Sequence, residues 1–220
     1  MRIGKIILIV IATATITHAA DKPIKKSFSK ELFPLSESTQ YIYESSFGDA
    51  TIKAFGSNGF IEMNSLADNF KYNQKLIMTD KGIFVNETYQ RIKLLLFIKK
   101  ENRVTYNRPL LRYSFPLFVG KEWSDSAVEY IDDDSNKVNL TGKVVAQEDV
   151  KTPAGNFSAL KLVTIVESET GSENVVTEWL AEDVGLVKAK IEIKGGGIMG
   201  FARDILGYGI INFELKEIKK

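Results

Sequence analysis

Apolar and polar residues alternate along most of this chain with the two-residue period of β-strands. Val187, Ala189, Ile191 and Ile193 are interleaved with Lys188, Lys190, Glu192 and Lys194, which predicts an extended segment with one apolar and one charged face. Ile211, Phe213 and Leu215 repeat the pattern against Asn212, Glu214 and Lys216, and Tyr41, Tyr43 and Phe47 share one face of the first strand. Leu76 to Thr79 and Ile83 to Val85 flank Asp80-Lys81-Gly82, where glycine supplies the positive φ that a hairpin turn demands. Val128-Glu129-Tyr130 and Val138-Asn139-Leu140 flank an acidic turn at residues 132–136. Thr152-Pro153-Ala154-Gly155 predicts a β-turn joining Lys143–Val150 to Phe157–Val166, because proline presets φ at its second position and glycine tolerates a positive φ at its fourth. Gly185 re-aims the chain between the strand of Trp179 and the next. The run Leu94-Leu95-Leu96-Phe97-Ile98, within Arg91–Lys100, is apolar on both faces and predicts a buried central strand.

No long helical period competes with these signals. About ten strands suit a mainly β fold. The expected architecture is a single large curved antiparallel sheet, a half-barrel or partly closed barrel, with little helix apart from the N-terminal segment.

That N-terminal segment changes the domain limits. Arg2 and Lys5 precede an apolar run from Ile6 to Thr17, followed by His18-Ala19-Ala20. The run is short of the roughly 20 residues a spanning helix needs, and its layout is that of a secretory signal peptide cut after Ala19 or Ala20. Residues 1–20 are therefore expected to leave, residues 21–30 to form a flexible polar lead-in, and residues 31–220 to form one antiparallel β domain. The expected location is periplasmic or secreted, with no integral membrane span after cleavage.

Export alters the chemistry available. The chain has no Cys and one His, His18, so the mature protein has neither. Ser-His-Asp and Cys-His catalysis and the usual zinc sites are closed to it, and no metal or cofactor is expected. Removing Arg2 and Lys5 leaves 27 basic against 28 acidic residues, a balance that offers no electrostatic attraction to nucleic acid.

Three motifs look like chemistry. Residues 195–200 satisfy G-x-G-x-x-G, but a dinucleotide fold needs further parallel strands beyond it, and 20 residues remain; a hairpin loop is expected, with Ile198, Met199, Phe201, Ile205 and Leu206 capping the core. Ser158 and Lys161 match S-x-x-K, yet residues three apart on a strand face opposite ways. Asp132-Asp133-Asp134 begins a calcium-loop pattern that Lys137 and Lys143 break. A pair of acidic residues could still hydrolyse glycosides, though none of the 28 is singled out. Trp123 and Trp179 could stack a sugar or lipid, but lie in apolar strands and are expected to anchor the core.

Phe33-Pro34-Leu35 with Tyr41-Ile42-Tyr43, the segment Phe115-Pro116-Leu117-Phe118-Val119-Gly120-Lys121-Glu122-Trp123, and Thr152-Pro153-Ala154-Gly155-Asn156-Phe157 with Trp179 and Val184-Gly185-Leu186-Val187-Lys188 together resemble a family of secreted bacterial domains of unknown function. Its fold relatives are the LolA-like lipoprotein carriers. The likeness runs over residues 31–217, with Tyr41 where the family commonly has Trp and no lipobox Cys. It implies a half-barrel and supplies no catalytic residues. The first functional reading is a non-enzymatic envelope domain that binds an apolar ligand, a lipid or acyl chain, in the half-barrel. Trp123, Trp179, Met199 and Phe201 are its candidate contacts, and a lipid, a lipoprotein or an envelope protein its partner. The alternatives are a structural or interaction module with a filled core, and a carboxylate-dependent glycan hydrolase.

Overall fold

The computed structural model describes residues 26–46, 48–57, 60–68, 70–94, 98–195 and 209–220. Among these residues a 3-10 turn, Lys30–Leu32, precedes twelve strands: β1 Gln40–Ser45, β2 Gly48–Ser57, β3 Phe60–Ala67, β4 Phe70–Met78, β5 Gly82–Leu94, β6 Ile98–Ser114, β7 Glu122–Ile131, β8 Asp134–Thr152, β9 Gly155–Ser168, β10 Glu173–Ala181, β11 Gly185–Lys194 and β12 Ile210–Lys219. Each pairs antiparallel with its sequence neighbours, and β12 returns to β1, with Tyr43 opposite Leu215 and Ser45 opposite Phe213. The expected curved antiparallel sheet is thus a closed barrel, and closure removes the exposed edges that an open sheet must protect.

The turns follow the chemistry read from the chain. Gly82 has φ +154 and its carbonyl accepts the Thr79 N–H at 2.9 Å. Pro153 and Ala154 form a two-residue turn between Thr152 and Gly155, whose φ is +138. Asp132 and Asp133 turn between Ile131 and Asp134, and Gly185 opens β11 at φ +88. One strand differs from the expectation. Leu94 pairs with Ile98, Lys93 with Lys99 and Ile92 with Lys100, so Arg91–Lys100 is two antiparallel strand ends and not one central strand. An apolar run carries no mark of where it reverses when no Gly, Pro or Asn punctuates it; Leu95, Leu96 and Phe97 themselves lie outside the described residues.

One end of the barrel is plugged. Phe28 and Leu117 exchange backbone hydrogen bonds of 2.8 and 2.7 Å, so the domain's packing begins within the stretch read as a lead-in. The Asp183 N–H bonds to the Glu31 carbonyl and the Phe115 N–H to the Lys81 carbonyl. These bonds tie the segment 28–36 and the loop 115–121 over the barrel end. Phe28, Leu32, Phe115 and Leu117 are buried there against Leu160, Leu162 and Leu180. A second apolar cluster, including Tyr43, Phe70, Ile92, Ile211 and Phe213, packs on the β1, β4, β5 and β12 walls.

Candidate functional site in the barrel interior

Alternation from the paired registers puts Gln74, Thr88, Gln90, Asn102, Tyr113, Thr164 and Glu178 on the inner face. Arg112 joins them through a bulge. Ile83 pairs with Tyr113 and Phe84 with Leu111, which leaves Arg112 as the extra residue, and bulges re-aim side chains in this way. Arg112 Nη2 donates to Glu178 Oε1 at 2.7 Å and the Tyr113 hydroxyl donates to Oε2 at 2.6 Å. Arg112 Nη1 donates to Gln74 Oε1. The guanidinium also lies 5.0 Å from the centre of the Tyr113 ring, in cation–π range. All four side chains are buried or nearly so, with Glu178 6% and Arg112 19% exposed.

This cluster sets the cross-section of the barrel. Twelve strands about 4.8 Å apart and tilted about 40° would hold β6 and β10 roughly 20 Å apart in a circular barrel. Arg and Glu side chains reaching toward each other span at most about 14 Å. The 2.7 Å contact therefore requires a flattened section, close to a two-layer sandwich at this level.

The electrostatics hold charges in place. Burial by itself would lower the Arg112 guanidinium, but Tyr113, Glu178 and Tyr72 outweigh it and raise it above its ordinary value. Burial raises the phenols of Tyr113, Tyr72 and Tyr106. Glu129, further along the inner face, is raised by burial against a weaker lowering by the Ser168 hydroxyl. An arginine that stays charged and phenols that stay neutral make a cluster suited to fixing a charge in place more than to passing protons.

Some inner-face groups lack partners. Gln90 Oε1, Asn102 Oδ1 and Thr164 Oγ1 are buried with no hydrogen bond among the described residues, and Gln90 stands directly opposite Asn102. An unsatisfied buried acceptor costs about 1–3 kcal/mol.

The sequence-predicted contacts fall elsewhere. Trp123 is 8% exposed, its indole N–H donates to the Arg112 carbonyl at 2.9 Å, and its ring lies flat on Gly142, where a Cβ would enter the indole. Trp179 is 9% exposed on the opposite face of β10 from Glu178. Its N–H bonds to Glu148 Oε1 at 2.6 Å, and the ammoniums of Lys161 and Lys188 lie 5.1 and 5.7 Å from its ring centre. Neither tryptophan offers a free face. Met199 and Phe201, like the rest of the glycine-rich stretch after Gly195, lie outside the described residues. Ser158 bonds to Gln147, and Lys161 pairs with Glu148, so S-x-x-K brings its two groups to different partners. Sequence reasoning missed Arg112 and Glu178. Glu178 could have been found, since it shares its phase with Val176 and Leu180 on an apolar face. Arg112 could not, because the bulge that turns it inward depends on the pairing of β5 with β6.

A second locus is a break in the wall. β6 and β7 pair through Val104–Tyr106 and Glu129–Ile131 alone. Beyond Tyr106 side chains replace the ladder: Asn107 Oδ1 accepts the Val128 N–H at 2.9 Å, and Asp125 Oδ2 accepts the Leu111 N–H at 2.8 Å. Arg108 forks onto the Asp125 carboxylate at 2.5 and 3.1 Å and also reaches the Ser126 carbonyl. Pro109 stands in this stretch and brings no N–H to a ladder. An open hollow of about 450 Å³ lies here, between Asn107, Ser126, Ala127, Val128, Lys137 and Glu169.

With the geometry in view, residues 121–201 match a family model described as DUF3108-like. The matched stretch covers β7 to β11 and includes the Thr152–Phe157 and Trp179–Lys188 motifs. The solved structure of a candidate lipoprotein from Parabacteroides distasonis is similar, with TM-score 0.40 and 15% identity over 86% of this chain and 98% of that one. A candidate exported protein with a YmcC-like fold from Bacteroides fragilis gives TM-score 0.44 and 14% identity over 89% and 100%. No curated protein matches this chain.

Proposed function

We propose that this is a non-enzymatic exported protein of the cell envelope whose barrel holds an apolar-tailed ligand, a lipid or acyl chain with a polar head. The observation that carries the reading is the pairing of unpartnered polar atoms with an apolar wall on one inner face. Among the described residues Gln90 and Asn102 offer acceptors without donors, next to Phe70, Ile92, Ile211 and Phe213 in the half away from the plug. A hydroxyl or amide head group would satisfy those acceptors, while its chain lies along the apolar wall. The buried Arg112–Glu178 bridge across the flattened section favours a second reading, an interaction module with a filled interior.

Two measurements separate them. Native mass spectrometry of protein purified from its own envelope should show an added lipid mass, and cis-parinaric acid should bind saturably, with weaker binding to Gln90→Leu. An unliganded mass together with no saturable fluorescence would overturn ligand binding and leave the filled module.

A further inference from the structure

We infer that the β6–β7 seam is a lateral port through which an apolar chain passes between solvent and the barrel interior; the substrate of this passage rests on the proposed function, while the opening of the seam does not. With three paired positions the seam is the shortest ladder in the described wall; β11 and β12 pair over five, and β8 and β9 over fourteen, from Val138–Ser168 to Thr152–Gly155. From Asn107 to Ser114 the seam is held by side chains: the Asn107 and Asp125 acceptors, the Arg108 fork and the Trp123 N–H. Parting it breaks a few side-chain contacts and leaves the β5–β6 and β7–β8 ladders intact, so it opens below the cost of global unfolding. The hollow on the outside reaches Ala127. Ala127 is 6% exposed, pairs with Val138 and belongs to the inner apolar cluster, so at this point the outside meets the interior across one small side chain. The plugged end, where Phe28, Leu32 and Leu117 are buried, offers no such route.

The chain contains no cysteine, so one introduced thiol reports on opening. Ala127→Cys at the seam is compared with Ala189→Cys, buried on the inner face of β11, by the rate of maleimide labelling of the folded protein. Ala127→Cys should label at least about tenfold faster. Adding Arg108→Ala should raise its rate roughly a further two- to fivefold, since an ion pair whose arginine is half exposed is worth less than one decade, with Ala189→Cys unchanged. Asp125→Asn, which keeps an acceptor for the Leu111 N–H, should give a smaller rise in the same direction. Equal rates at the two positions, or an Arg108→Ala effect absent at 127 or shared by both, would overturn the port. The second arm is stopped-flow uptake of cis-parinaric acid, expected to quicken in Arg108→Ala with its affinity unchanged. Seam opening without uptake overturns the ligand reading alone, and uptake at an unchanged rate overturns the port.

Discussion

Removing the Glu178 carboxylate tests whether the flattened barrel depends on its buried charge bridge. Glu178→Ala leaves the Arg112 guanidinium, 19% exposed, without its counter-charge, and breaking a buried pair from one side costs about 3–5 kcal/mol. It also strands the Tyr113 hydroxyl, whose partner is Glu178 Oε2 at 2.6 Å, at about 1–3 kcal/mol for an unsatisfied buried donor. The two losses share one carboxylate and do not add fully, so about 4–6 kcal/mol is expected. That is a large part of the roughly 5–15 kcal/mol that stabilises a domain. Glu178→Gln, which keeps an acceptor and drops the charge, provides a milder variant that should still fold. The decisive comparison is Arg112→Met, Glu178→Leu and the pair together, by urea unfolding. The double variant removes both charges at once and should be more stable than Glu178→Leu alone, with a coupling of at least about 2 kcal/mol. Additive losses below about 1 kcal/mol each would refute the bridge as a determinant of the section.

Further outcomes follow from other contacts. Gly142→Ala should lower the melting temperature, with an overpacking cost of about 1–3 kcal/mol, because its Cβ would enter the Trp123 ring; near-ultraviolet circular dichroism should lose tryptophan signal with it. Glu129→Gln should stabilise the protein at pH 7. The folded state raises the Glu129 carboxyl, so its protonated form favours folding at low pH, and that contribution is lost as pH rises through the folded value. Melts at pH 7 and pH 3 should therefore show a gain at the first and none at the second; the same gain at both would locate the effect outside titration.

What the chain by itself determined was strand by strand. Alternation at Val187–Lys194 and Ile211–Lys216 marked faces, and Gly82, Pro153, Gly155 and Gly185 marked turns, because both signals are local: side-chain period two and φ are properties of a few neighbouring residues. The all-β class and the buried place of Trp123 followed from them. Closure, flattening and the cluster within were decided by the tertiary structure. Whether β12 meets β1 depends on shear and tilt summed over twelve strands, and Arg112 turns inward through a bulge defined by its partner strand. The break at the β6–β7 seam had a trace in Pro109 within a strand, yet its latch of Asn107, Arg108 and Asp125 exists through pairing across 14 to 21 residues of chain. Local chemistry writes the strands, and the long-range register decides which polar groups they enclose.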